Sequence, residues 1–190
     1  MANEKVIWDG STQLAPVPVV LVGTGDGKQY PYNVLTVAWA GTVCSEPPMV
    51  GIAIRKERFS YHQLCKLNAF TVNMPTSAMA ETVDYCGVVS GRTVDKFAQR
   101  GMTAVAASRV TAPVVAECPL ALECEVKQQL ELGSHVLVIG EVKAVQVDKA
   151  LVDEAGKLDI TKADLLAYAH GHYFALGDCL GTFGYSVKKK

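Results

Sequence analysis

The sharpest pattern in the chain is strict alternation from Leu120 to Leu132. Leu120, Leu122, Cys124, Val126, Leu130 and Leu132 fall on one side, and Ala121, Glu123, Glu125, Lys127, Gln129 and Glu131 on the other. Period-two spacing predicts an antiparallel strand with one buried and one solvated face. Gly133-Ser134 then turns the chain into His135–Val147, its predicted hairpin partner. The apolar phase of that partner slips between Ala144 and Val145, which predicts a β-bulge. Ala15–Gly25, Asn33–Val43, Pro48–Arg55 and Ala69–Met74 are apolar, β-branched runs that read as further strands. The Ser45-Glu46-Pro47-Pro48 break separates the second of these from the third. Ser77–Cys86 has helical spacing, with Ala78, Met79, Thr82, Val83 and Cys86 on one face, and Thr161–Ala169 reads as a short helix, with Asp164 at the capping-box position relative to Thr161. Many short strands and few helices favour a closed β architecture over a parallel sheet.

No repeat or linker divides the 190 residues, so residues 1–190 read as a single domain. Hydrophobic residues make up 49% and charged residues 19%, the balance of a chain that buries a core. The net charge of −1 offers no field to draw nucleic acid or an anionic membrane, and neither is expected as a partner. Lys188-Lys189-Lys190 is the one single-signed run and reads as a solvated terminus. The start of the chain has no apolar core of signal-peptide length, and no window approaches the roughly 18 apolar residues of a membrane span, so the expected location is the cytoplasm. Cys44, Cys65, Cys86, Cys118, Cys124 and Cys179 form no Cys-x-x-Cys pair, and in a reducing compartment they read as free, small buried hydrophobes.

Gly23–Gly27, Gly-Thr-Gly-Asp-Gly, lacks the spacing of a nucleotide-binding loop and reads as a hairpin turn. His170-Gly-His172 has no Asp, Glu or Cys at ligand spacing, so no metal site is expected. Arg55-Lys56-Glu57-Arg58-Phe59-Ser60 is more informative. Ser60 and Gln63 have capping-box spacing, which predicts a helix starting at Ser60 or Tyr61. Unpaired amide groups at a helix start beside arginines suit a phosphate. On spacing alone, a solvated turn fits equally well. Just upstream, Asn33, Thr36, Trp39, Thr42 and Ser45 interrupt apolar strands with small hydrogen-bonding groups and one large ring. That mixture fits either core packing or the surface of a flat, half-polar cofactor.

The segment Asn33–Leu64, continued by Phe70–Pro75, Asp84–Phe97, Ala112–Val126 and Gly171–Asp178, resembles the flavin reductase-like FMN-binding split barrels, and within them the flavoredoxins. The resemblance spans nearly the whole chain. It implies a mainly β fold: a six-stranded antiparallel Greek-key split barrel with a few flanking helices. It also implies FMN as cofactor and a homodimer. By matching motif positions, Asn33, Thr36, Ala38, Trp39, Cys44 and Ser45 would line the flavin ring and ribityl chain. Arg55, Arg58, Ser60 and Tyr61 would hold the phosphate end, with Lys96 as a further phosphate ligand. His172 would lie near the flavin or the dimer seam. No catalytic acid or base is expected, because a flavin carries out hydride and electron transfer at its own ring. Three functions remain open on this reading: an electron carrier of flavoredoxin type, an NAD(P)H:flavin oxidoreductase that exchanges its flavin, and a non-enzymatic FMN-binding barrel. NAD(P)H or a redox protein would be a transient partner.

Overall fold

The computed structural model describes residues 3–187; the Lys188–Lys190 run lies outside them. In chain order the elements are β1 (Val17–Pro18), β2 (Val20–Thr24), β3 (Asn33–Val37), β4 (Ala40–Ser45), β5 (Pro48–Ile54), α1 (Phe59–Leu67), β6 (Ala69–Met74) and α2 (Ala80–Val88). They continue with α3 (Lys96–Arg100), β7 (Ala104–Ala106), β8 (Pro113–Val115), β9 (Leu120–Leu132), β10 (His135–Val147), β11 (Leu166–Ala169) and β12 (His172–Ala175).

Seven strands pair antiparallel in the order β3-β2-β6-β9-β10-β5-β4. β3 and β4 follow one another in the chain, yet they stand at opposite ends of that order. The sheet therefore curls on itself, and the Ala53 N–H on β5 donates to the Trp39 carbonyl at 2.8 Å, just past the end of β3. Val22, Leu35, Ile52, Phe70, Cys124 and Val138 meet inside the curl with Leu64 of α1. This is the expected mainly β split barrel. The sheet has seven strands where six were expected, because the Asn33–Val43 run breaks at Ala38-Trp39 and supplies both of its ends. A second cluster on the outer face of β2 and β3 takes Val83 and Cys86 from α2, Phe97 from α3 and Leu166 from β11. It fixes the two short helices against the barrel.

Several expectations hold to the residue. β6, β9 and β10 have the predicted bounds, and the β9–β10 register shifts between Val142 and Ala144, adjoining the expected phase slip. A second shift falls between Ile139 and Gly140. The Gly23–Gly27 segment leads from β2 into the hairpin with β3, with Gly25 and Gly27 at positive φ.

Others are corrected. Thr161–Ala169 is not a helix: a single 3-10 turn, Ile160–Lys162, leads into β11, which is flanked by β1 on one side and β12 on the other. Pairing on both edges outweighs the helical preference of Ala-Asp-Leu-Leu-Ala. Asp164 caps nothing there; it sits at φ 46° and accepts a hydrogen bond from Ser77 Oγ at 2.5 Å. Ser60 and Gln63 form no capping box. α1 begins at Phe59 with Arg58 at the cap position, and both predicted capping side chains are buried. Gln63 instead accepts from Thr24 Oγ1 and donates to the Pro31 carbonyl, each at 2.7 Å.

On β9 the predicted solvated face is half covered. Ala121 and Glu123 are buried, whereas Leu130 and Leu132 are exposed where the hairpin runs past the barrel. All six cysteines are free, but only Cys86, Cys118 and Cys124 are buried. Burial pushes the Cys124 thiol up to about 12, so it stays protonated and behaves as a small apolar group.

Candidate functional site

Two clefts meet on the side of the barrel where β3, β5 and the start of α1 converge. The first, about 310 Å³, is walled by Thr36, Ala38, Trp39, Ala53 and Ile54, and by Tyr168 and Tyr173 from the small sheet. The second, about 380 Å³, is walled by Glu57, Phe59, Ser60, Val89, Ser90, Gly91 and Lys96. Leu35, Arg55 and Arg58 line both, so the clefts form one continuous trough, apolar and aromatic at one end and cationic at the other.

The aromatic end is set by the chain break after β3. There Trp39 is 48% exposed, and its ring stacks on His135 at a centroid distance of 6.3 Å with 14° between planes. Opposite, Tyr168 and Tyr173 meet edge to face at 5.6 Å, and Tyr173 donates to Asp84 Oδ1 at 3.1 Å. Thr36 lines this end while its hydroxyl donates to the Val83 carbonyl of α2. A Cβ at Gly87 would stand 3.3 Å from the Thr36 Cβ, so a larger residue there would crowd the wall.

The cationic end is organised by the carboxyl terminus of α2. A helix leaves its last carbonyls unpaired and carries partial negative charge there. The Lys96 ammonium donates to the Cys86 carbonyl at 2.7 Å and to the Val34 carbonyl at 2.8 Å. Arg58 donates to the Gly87 carbonyl at 3.0 Å. Two cations from different elements are thereby held in place before any ligand arrives. Lys96 is 3% exposed, and among the described residues it has no ion pair with a carboxylate. An ammonium has three donors. Two are used, and the side chain lines the cleft. Burial lowers its pKa to about 8, the response of a cation kept from water without a counter-charge. Arg55 is more loosely held, with its Nη1 3.6 Å from the exposed Glu57 carboxylate.

Behind this end, Asn33 donates to Ser60 Oγ at 2.7 Å and so ties β3 to the first turn of α1. The Val89–Gly91 loop lies directly over Asn33: a Cβ on Gly91 would fall 1.9 Å from Asn33 Oδ1. Asn33 therefore supports the cationic end from behind.

The sequence-derived set thus divides. Thr36, Ala38, Trp39, Arg55, Arg58, Ser60 and Lys96 are brought together around the trough, with Asn33 behind them. Cys44 and Ser45 are not. The break at Ala38-Trp39 sends them along β4 to the far edge of the sheet, where Cys44 Sγ donates to the Glu46 carbonyl at 3.4 Å. Tyr61 points to the other side of α1, and its hydroxyl donates to Gln129 at 3.3 Å. A hydrogen bond with Cys65 helps push this phenol up to about 12. His172 lies exposed on β12, its Nδ1 3.0 Å from the His170 carbonyl. Its neighbour Tyr173 lines the cleft instead, as do Tyr168, His135, Gly87 and Ser90, none of which motif spacing singled out. The aromatics among them arrive from distant parts of the chain, so no local pattern marks them.

The donor set fits a phosphorylated flavin: three cations and an open helix start at one end, and aromatic and small apolar walls at the other. Comparison with known proteins also leads to a flavin family. Residues 12–177 match the family described as flavin reductase like domain. Flavoredoxin of Desulfovibrio vulgaris (Miyazaki F) superposes with a TM-score of 0.90 at 35% identity, over 97% of this chain and 100% of that one. Flavoredoxin from Methanosarcina acetivorans gives 0.86 at 30% identity, over 98% and 100%. An FMN-binding protein from Thermus thermophilus gives 0.75 at 25% identity, over 92% and 94%. On its family match, its barrel and these neighbours, the chain belongs to the flavin reductase-like domain family.

Proposed function

We propose that the chain binds FMN in this trough and acts as an electron carrier of flavoredoxin type, keeping its cofactor through turnover. The observation that carries the reading is Lys96, a buried ammonium with no carboxylate partner among the described residues, lining a cleft that Arg55 and Arg58 also line. A buried cation is costly unless an anion accompanies it, and a monoester phosphate supplies that anion. Bound there, FMN contributes the redox chemistry of its ring. The chain's own residues bind and orient. Lys96, Arg58 and Arg55 hold the phosphate, and the Asn33–Ser60 bond keeps the first turn of α1 in register with it. Thr36, Ala38 and Trp39 face the ring. No residue is assigned a proton. The name of the Thermus neighbour, an FMN-binding protein, supports FMN, and the likeness to two flavoredoxins supports the carrier reading over the reductase.

Cys44, Ser45 and His172 do not line the trough of their own chain, and on this reading they would serve a flavin across a homodimer seam. Exposed apolar side chains on the segments at both ends of the described chain support that assembly, among them Trp8, Leu14, Leu180 and Phe183, the last 107% exposed. A reduced nicotinamide or a redox protein is the transient donor. A second reading is a reductase that exchanges its flavin, favoured by the half-exposed, loosely paired Arg55. Three cations are more anchoring than a departing substrate needs, so the carrier is preferred.

Purification and dialysis distinguish the two. A carrier emerges yellow, loses flavin slowly and accepts electrons without added FMN. A colourless protein whose NAD(P)H oxidation depends saturably on free flavin would reverse the order of the two readings.

A further inference from the structure

Four side chains from different elements reach one short stretch of α2. The Thr36 hydroxyl donates to the Val83 carbonyl, Tyr173 to the Asp84 carboxylate, the Lys96 ammonium to the Cys86 carbonyl and Arg58 to the Gly87 carbonyl. Thr36 and Tyr173 wall the aromatic end of the trough, Lys96 walls the cationic end, and Arg58 lines both. One helix end therefore holds both halves of the site. Three of these links end on backbone carbonyls, which any helix would present. The fourth, Tyr173 to Asp84, joins two side chains and so depends on the sequence. It ties α2 to β12, an edge strand that pairs with β11 alone among the described residues. Burial, and next the bond to Asp84, pushes the Tyr173 phenol up to about 12, so it stays a donor at neutral pH. Asp84 itself lines neither cleft.

We propose that Tyr173 is a positioning residue, whose bond to Asp84 sets the distance from the aromatic wall to the cations so that a flavin ring and its own phosphate fit together; the inference rests on the flavin reading above. A ligand that occupies one end only can bind with the wall slightly displaced. A ligand anchored at both ends needs the spacing fixed beforehand, and its affinity rises when it is. The link thus favours a phosphorylated flavin over the bare one through the placement of the wall. The charge on Asp84 acts in the opposite sense. Asp84 stands about one helical turn before Gly87, where Arg58 is held, and a carboxylate there repels a phosphate. Loss of the charge alone would tighten FMN binding, so weaker binding without Asp84 isolates the hydrogen bond.

Calorimetric titration with FMN and with riboflavin tests this on flavin-free Tyr173→Phe, Asp84→Ala, Asp84→Asn and the double variant Tyr173→Phe/Asp84→Ala. The parent titration reports on the flavin reading by itself, and the variants report on the link. Tyr173→Phe and Asp84→Ala should each weaken FMN binding about three- to tenfold. Riboflavin binding should be unchanged in both, which also shows that they fold. The double variant should lose no more than either single one, because both changes break the same bond. Asp84→Asn keeps a side-chain oxygen that can accept, so it should bind FMN at least as tightly as the parent. Unchanged FMN affinity in Tyr173→Phe, an equal loss for riboflavin, or additive losses in the double variant each overturn the proposal. So does a loss in Tyr173→Phe that Asp84→Ala does not share, since the phenol would then act by direct contact. A parent that binds neither flavin removes the flavin reading, and this proposal with it.

Discussion

Lys96 shows how one residue acquires a function from its surroundings. Its place at the start of α3 follows from Asp95, which accepts a hydrogen bond from the Ala98 N–H at 3.1 Å and caps that helix. Its burial follows from packing of α2 and α3 on β3. With a folded pKa lowered to about 8 against 10.5 for an ordinary lysine, the empty protein binds fewer protons here than the unfolded chain between those values. This group therefore adds stability as pH rises from about 8 to 10.5, and below 8 the buried charge destabilises. Phosphate binding has the opposite dependence, because it needs the charged form. FMN affinity measured by fluorescence quenching should fall as pH rises from 7 to 9.5, by up to about tenfold per unit above the pKa, and Lys96→Met should flatten that slope. Riboflavin affinity should not follow it. A slope of the same size in Lys96→Met would assign the titration to another group.

Glu123 is the residue that sequence pattern misplaced most. Alternation put it on the wet face of β9, but it is buried and accepts from Ser108 N–H and Oγ, Arg109 N–H and Gln146 Nε2. Burial pushes its carboxyl up; the hydrogen bonds from Gln146, Ser108 and Arg109 together outweigh that and leave it below the ordinary value. Period two reports which side a residue faces, and it is silent about a loop that later covers that side.

At the scale of elements, the hairpin strands β9 and β10 and the apolar run of β6 were legible to the residue. What local pattern could not show was where an element pairs. Asn33–Val43 read as one strand because its composition is continuous; the break at Ala38-Trp39 arises because the run's two halves close opposite ends of one sheet. That break both exposes Trp39 to the trough and carries Cys44 and Ser45 away from it. The arginines and Ser60 were legible because they fall within one six-residue stretch, although Ser60 holds Asn33 rather than capping its helix. The Val89–Gly91 loop is a third instance. Gly91→Ala should displace the Asn33 side chain, loosen its bond to Ser60 and tilt the first turn of α1, since the added carbon would fall 1.9 Å from Asn33 Oδ1. We expect denaturant unfolding to show a loss of about 1–3 kcal/mol. FMN affinity should drop more than riboflavin affinity. Unchanged stability and unchanged FMN binding would mean the loop moves freely and takes no part in the site.

For the whole molecule, the barrel core was implied by composition and alternation, whereas apolar side chains near both ends of the described residues stay exposed in one chain. Ile7, Trp8, Leu180 and Phe183 are each at least 74% exposed. Side chains of this kind in numbers mark a surface that another protein covers. Light scattering at micromolar concentration should return twice the 20.3 kDa of one chain. Replacing Leu180 and Phe183 with serine should shift the balance toward monomer. A parent protein that is monomeric and still binds FMN tightly would remove the dimer from the account.

The central claim is that a flavin is held by its phosphate at the end of the trough lined by Arg55, Arg58 and Lys96. Its most direct test is calorimetric titration of flavin-free protein with FMN and with riboflavin at neutral pH, on the parent and on Arg58→Ala. A charge-assisted hydrogen bond contributes about 1.5–3 kcal/mol. FMN should therefore bind far more tightly than riboflavin, and Arg58→Ala should lose roughly ten- to a hundredfold for FMN with little change for riboflavin. Equal affinity for the two flavins, or equal losses for both in the variant, would contradict the account.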